Sequence, residues 1–498
     1  MESSSTWEPS AAPDRVDASV LPLIPILLVL SVLLADSGLI LDLGLVPESD
    51  DAPVLVVLLS ILPTVLVTLV TMAIFSMLHA RMDRPGPRGL RPILRRGDRC
   101  MVVARWLILI NYLAAVLVLD WLGAMRSFTG ALLLIDEVLV MLPPLVAISL
   151  LWWSWYPIEH RLHEAALMQR LDRGLPVHLP PGRMVFVLTQ LRLHVLLMLV
   201  PMLLILAASE ALERWLVPGG KAFFEVNVWL EIGTGAMALV VLGLSPLIAR
   251  LVLGLRRLPD GDVRSDMQTI CDDHRVRARD IMLWRTSGTM INAAVMGFVP
   301  KLRYLVLTDG LLEQVPRPQV LAVMAHEVGH VRHRHMPWLL VGLLATIVLS
   351  QWCLELLFWF EPSWFVGSRG LGGLLQIVVL LGVVFILFGW ISRRFERQAD
   401  TFAVQHLARG ASDEGLVTSE SVDAMSDALG TIAALHAVDP GRRSWRHGSI
   451  AWRCGYLHGL TGQRLDRLAI DRLATGIRLA SAVIVAGGIL QLTMETFR

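Results

Sequence analysis

Long apolar runs alternate with short polar, arginine-rich stretches along most of this chain. Runs of about 20 apolar residues, the length of helix that crosses a bilayer core, fall near 20–41, 54–78, 102–124, 130–153, 185–207, 228–253, 338–360 and 371–391. Another run, near 474–494, is shorter in pure apolar character and carries Arg478 at its start. The pattern predicts a mainly α-helical polytopic membrane protein. Its expected parts are a membrane domain of about six helices over 1–255, two further spans within 337–391, and a C-terminal span within 471–498. The first run lacks a basic n-region and follows an acidic, Ser-rich stretch, so it reads as an anchor, not a cleaved signal peptide. Pro22, Pro25, Pro63, Pro143, Pro144 and Pro201 sit inside the runs and predict kinked or broken helices.

Arginine placement gives the expected sidedness. HARMDRPGPRGLRPILRRGDR follows the second run, RLHEAALMQRLDRGLPVHLPPGR the fourth, RLVLGLRR closes the sixth and SRRFERQ follows the eighth. All four lie on one side if the spans alternate, which is then the cytoplasmic side. The opposite loops, DLGLVPESDDAP and SEALERWLVPGG, are acidic or nearly neutral. Asp136, Glu137, Arg192 and His194 fall inside runs and are costly to bury in lipid. They face a water-filled chamber, or else snorkel to the interface or contact neighbouring helices.

The remaining polar stretches, 256–336 and 392–470, are expected on that cytoplasmic side. IMLWR from Ile281, INAAVMG from Ile291 and RYLVLT from Arg303 read as strands by their β-branched and apolar content. Pro318 suits the first turn of a helix. That helix, VLAVMAHEVGHVRHRH, carries an HExxH motif at His326–His330. Positions four apart lie roughly 40° from each other on a helix. His326 and His330 can therefore grip one Zn²⁺, with Glu327 beside them to take a proton from water that the ion polarises.

Zinc needs a third protein ligand. His333 returns to the same face as His326 but lies about 10 Å further along the axis. His335 points elsewhere, and both read as interfacial or outer histidines. Downstream, Glu396 and Asp400 in SRRFERQADTFAV share a helix face. Glu396 can complete a His₂Glu site with an open fourth position, and Asp400 can orient a ligand imidazole. Alternatively they pair with Arg393 and Arg397 on a solvated helix.

Composition adds little but excludes some classes. Net charge is +1, so no nucleic-acid partner is implied. The positive residues are nearly all Arg, which fits a GC-rich genome and hence a bacterial inner membrane. Cys100, Cys271, Cys353 and Cys454 are scattered, which suggests neither a thiolate zinc site nor a disulfide framework.

From about Ile281 to Arg453 the chain resembles the membrane-embedded zinc peptidases that include the HtpX heat-shock protease and the CAAX prenyl protease. The resemblance rests on NAAVMG at Asn292–Gly297, YLVLTDGLL at Tyr304–Leu312, AHEVGHVRHRH at Ala325–His335, ERQAD at Glu396–Asp400, and WRHGSIAWR, where His447 precedes Arg453. Gly448 stands where the family usually has proline. The resemblance implies a zincin-type (gluzincin) α+β catalytic domain with a small antiparallel sheet. It implies one Zn²⁺ per chain on His326, His330 and Glu396, and Glu327 as base. It also implies that His447 and Arg453 help hold the polarised carbonyl oxygen. Asn292 and Ala293 would contact an extended peptide or protein substrate by strand addition. The implied activity is endopeptidase cleavage of membrane or misfolded proteins. The alternatives are processing of prenylated C-termini, or a scaffold with a structural zinc. Retention of Glu327 argues against the scaffold, because a structural site needs no base.

Overall fold

The computed structural model describes residues 23–36, 53–82, 91–130, 132–172, 177–216, 224–359, 369–409, 415–436, 438–466 and 468–496. Two compact units divide the chain, Met1–Gly254 and Leu255–Arg498.

In the first unit the apolar runs fold as helices, in which every backbone N–H and C=O is satisfied without water. They are α1 (Leu23–Asp36), α2 (Pro53–Met82), α3 (Arg91–Leu117), α4 (Trp121–Thr129), α5 (Ile135–Asp172), α6 (Arg183–Leu191), α7 (Leu197–Leu216) and α8 (Phe224–Leu253). Helix α2 shows the logic of a membrane span. Ser60, Thr64, Thr68 and Thr71 face inward, whereas Leu58, Leu62, Leu66 and Leu69 are each more than half exposed. The inward hydroxyls of Ser60, Thr68 and Thr71 donate to carbonyls one turn back at 2.7–2.8 Å, so small polar residues let helices approach closely.

Among the described residues eight helices are long and apolar enough to cross a bilayer. The expected anchor near 20–41 lies partly outside the described residues; its described part is α1, 14 residues long. The relative sidedness of the arginine loops is unaffected, because they still fall after every second span. The prolines act mildly: Pro63, Pro143, Pro144 and Pro201 lie inside continuous helices. A π-helical turn at Arg192–Leu196 joins α6 to α7 just ahead of Pro201. Asp136 and Glu137 are buried against Arg126, at 2.6 and 2.8 Å, and Asp36 lies 2.7 Å from the same guanidinium. Helix-to-helix pairing therefore accounts for both acids.

The second unit holds β1 (Arg256–Arg257), α9 (Asp262–Asp273), β2 (Asp280–Trp284), β3 (Ala293–Met296), β4 (Tyr304–Thr308), α10 (Asp309–Gln314), α11 (Arg317–Arg332), α12 (His335–Trp359), α13 (Arg369–Arg409), α14 (Ser419–Leu435), α15 (Ile450–His458) and α16 (Ala469–Thr496). The three expected strands form, and Pro318 lies in the first turn of α11. The sheet order is β1-β2-β4-β3. It is mixed and not wholly antiparallel, since β2 and β4 run parallel from Asp280↔Tyr304 to Trp284↔Thr308. Residues 285–303 between them are long enough for a crossover that a hairpin cannot make, and β3 lies within it. β3 then pairs antiparallel with β4 and ends the sheet. Every residue of β4 is buried, as suits a central strand. Below it Leu305, Leu307, Val320, Met324 and Val328 join Phe402 and Val422 in one apolar core.

Candidate active site

Helix α11 packs against α13, and Gly329 permits the approach. A β-carbon there would meet the Phe402 ring and Cβ at 3.0–3.2 Å. This close crossing sets His326 and His330 of α11 opposite Glu396 of α13. His326 Nε2 and His330 Nε2 lie 3.2 Å apart. Glu396 Oε2 is 3.8 Å from the first, and Oε1 is 3.6 Å from the second. These three side chains form a group that could hold a metal ion.

The outward-facing ring nitrogens are engaged. His326 Nδ1 lies 2.9 Å from Asp400 Oδ1. Asp400 is fully buried and accepts from Arg453 Nε at 2.7 Å and Nη2 at 2.5 Å. Burial alone would lower the His326 pKa, yet Asp400 holds it above the usual value. An acid on the Nδ1 side orients the ring so that Nε2 turns towards His330 and Glu396. His330 is pushed down to about 4, chiefly by burial, so its ring is neutral near pH 7.

On the other side of His330, His335 Nδ1 is 2.8 Å from His330 Nδ1. His335 is fully buried, stacks on Phe395, and meets Gln398 Oε1 at 3.0 Å. Gln398 Oε1 also accepts from Arg478, and its amide donates to Asp471 Oδ1 at 2.7 Å. The last helix is thus tied to the site. The sequence pattern makes His335 an interfacial or outer histidine but points it away from His330, because it continues α11 too far. The helix ends at Arg332, and Arg334 at φ 55 turns the chain so that His335 folds back. Gln398, inside the ERQAD motif, carried a signal in its position two residues past Glu396; Asp471 carried none.

Glu327 follows His326 on α11 and lies within electrostatic reach of His326, Glu396 and His447. Desolvation raises its carboxyl to about 7, with Glu396 adding to the shift, while His326, His447 and the Val295 N–H oppose it. Val295 belongs to β3, the terminal strand. Ala293 opens that strand and is buried; Asn292 precedes it, exposed, with its backbone held by Thr308.

His447 reaches the site from a tight turn closed by Ser444 and Gly448. Its Nδ1 lies 2.9 Å from Glu396 Oε2, and its side chain is half exposed. Gly448 has φ +78, which proline cannot adopt, so the departure from the family's proline has a backbone cause. Trp445 anchors the turn, stacking on Phe385 and accepting from Arg393 at its carbonyl. Arg453 is buried and bidentate on Asp400, with Nη1 4.0 Å from Glu396. Its donors thus serve the rear of His326. Arg393 bonds Trp445 and Arg397 lies over the Trp452 ring, so neither pairs with Glu396 or Asp400 as a solvated helix would require.

Residues 258–440 match peptidase family M48. The chain is 28% identical over 206 residues to a CAAX prenyl protease 1 homolog of Arabidopsis thaliana, covering 38% of this chain and 47% of that protein. It is 28% identical over 196 residues to a protease HtpX homolog of Acaryochloris marina, covering 37% and 64%. The chain thus spans from about half to under two thirds of these relatives. It is also similar to the crystal structure of S. mikatae Ste24p, at 16% identity and TM-score 0.38, over 80% of this chain and 98% of that one. The family match ends before His447 and Arg453.

Proposed function

Because residues 258–440 match peptidase family M48, we propose that this chain is an integral-membrane zinc metalloendopeptidase acting on membrane or misfolded proteins. The observation that carries the proposal is the donor set. Ligands of a tetrahedral zinc, at bonds of about 2.0–2.2 Å, sit roughly 3.3–3.6 Å apart. His326, His330 and Glu396 are separated by 3.2, 3.6 and 3.8 Å. Behind the two histidines lie Asp400, 2.9 Å from His326 Nδ1, and His335, 2.8 Å from His330 Nδ1. The residues present therefore fit one zinc per chain, which would lend Lewis acidity to the attacking water and the scissile carbonyl.

Glu327 accepts the water proton and returns it to the leaving amine. A carboxyl near 7 suits a group that must do both at neutral pH. An extended substrate adds to the free edge of β3, with Asn292 and Ala293 in contact and Val295 beside Glu327. His447, half exposed on Glu396, faces the developing oxyanion. Asp400 and Arg453 hold His326 in register. The arginine-rich loops support a site on the cytoplasmic side of what we read as a bacterial inner membrane.

Purified protein in detergent should cleave an unfolded protein substrate and retain about one zinc. Glu327→Gln should keep the zinc and lose roughly 10²–10⁴ in rate. Wild-type cleavage by Glu327→Gln, or no zinc on the wild type, would refute the reading. The resemblance to a CAAX prenyl protease homolog makes a farnesylated peptide the second substrate to assay. Preference for it over its unmodified form would move the substrate class to lipidated C-termini.

A further inference from the structure

A cavity of about 400 Å³ opens beside His330, and Arg275, Arg277, Arg303, Arg332 and Arg334 line it. Among the described residues no carboxylate lies within ion-pair distance of these five. Arg275, Arg277, Arg332 and Arg334 are exposed. Arg303 is half-buried and donates to the Gly297, Phe298 and Arg277 carbonyls at 2.7–3.2 Å. It stitches the rim without being neutralised. Arg275 and Arg334 sit in the left-handed region, at φ 53 and 55, just past the ends of α9 and α11. Glycine is the usual residue at such positions. Arginine there carries a backbone penalty, so the two side chains are not explained by the turns that bear them.

The cavity continues the path of β3. That strand ends at Met296, and Gly297 and Phe298 form part of the cavity wall. A peptide on the free edge of β3 would pass Glu327 at Val295. About two residues on, at roughly 3.3 Å per residue, it would meet the arginines. Resting on the endopeptidase reading above, we propose that this cavity is a substrate subsite for an acidic side chain two to four residues from the scissile bond. Several unpaired guanidinium groups around one concave space attract a carboxylate and repel a cation. The nearness of Glu327 and His330 favours peptide over lipid as the occupant. Met336 and Pro337, at the start of α12, also line the cavity, so an anionic lipid headgroup is the competitor.

The test uses full-length protein in nanodiscs of neutral lipid. Peptides carry a single Glu, Gln or Lys at each position from two to four residues on either side of the cleaved bond. Glu at one or more of these positions on one side should raise kcat/KM over Gln by several-fold to about tenfold. Lys should lower it, and added salt should shrink both effects. In Arg332→Glu the Glu-to-Lys ratio should fall or invert, and because it is a ratio it is insensitive to the fraction of folded enzyme. Equal rates for all three residues at every position, with Glu327-dependent cleavage intact, would overturn the subsite and leave the protease reading standing. Loss of the Glu preference when phosphatidylglycerol replaces neutral lipid would assign the cavity to headgroups and overturn it too. No Glu327-dependent cleavage of any peptide by zinc-loaded protein would overturn both readings.

Discussion

Arg453→Ala is expected to damage the metal centre more than the chemical step. Arg453 is buried and bidentate on Asp400, at 2.5 and 2.7 Å, and Asp400 in turn lies 2.9 Å from His326 Nδ1. Removing the guanidinium leaves a fully buried carboxylate without its counter-charge. Breaking a buried pair in this way costs about 3–5 kcal/mol, a large share of the roughly 5–15 kcal/mol that holds a typical fold together. Asp400 can relieve this by taking a proton or turning away, and either loosens His326. Zinc affinity should then fall roughly 10–100-fold. Asp400→Asn keeps the shape and removes the charge, so Arg453→Ala added to it should cost much less than in the wild type. We expect a coupling of about 2–3 kcal/mol between the two sites. The assay is zinc competition against a chelator, with thermal unfolding in detergent, on wild type, both single variants and the double variant. Additivity within about 0.5 kcal/mol would refute the pairing argument. So would unchanged zinc affinity in Arg453→Ala together with a lost rate, which would return Arg453 to the reacting carbonyl.

His335→Ala should lower zinc affinity roughly 10–100-fold, because it frees the His330 ring; chelator competition reads this, and His335→Asn should restore part of it. Gly329→Val should force α11 away from Phe402 on α13, costing about 1–3 kcal/mol and the zinc; wild-type zinc content in a folded variant would mean the close crossing is not needed. Topology reporters fused after Arg257 and after Arg409 should both report the cytoplasm, and a split result would break the sidedness on which the proposed site depends.

The structure redirects several readings by geometry that no local pattern encodes. The β2–β4 pair is parallel because β3 leaves to the sheet's edge and returns, a path that strand propensity does not record. Asp136 and Glu137 find Arg126, a residue outside the runs that drew attention to them.

Periodicity and spacing were enough to show helices of bilayer length, three strands, and the placement of His326 and His330 on one face. Those features are local: an apolar run must satisfy its own backbone in lipid, and residues four apart on a helix must neighbour each other. What only the tertiary structure decided are the relations between distant segments. They include the crossing at Gly329 that sets Glu396 beside the histidines, the left-handed Arg334 that folds His335 onto His330, and Arg453 closing on Asp400. Each depends on long-range packing and on charges that can be buried only together. One chain's order of residues constrains such contacts without displaying them.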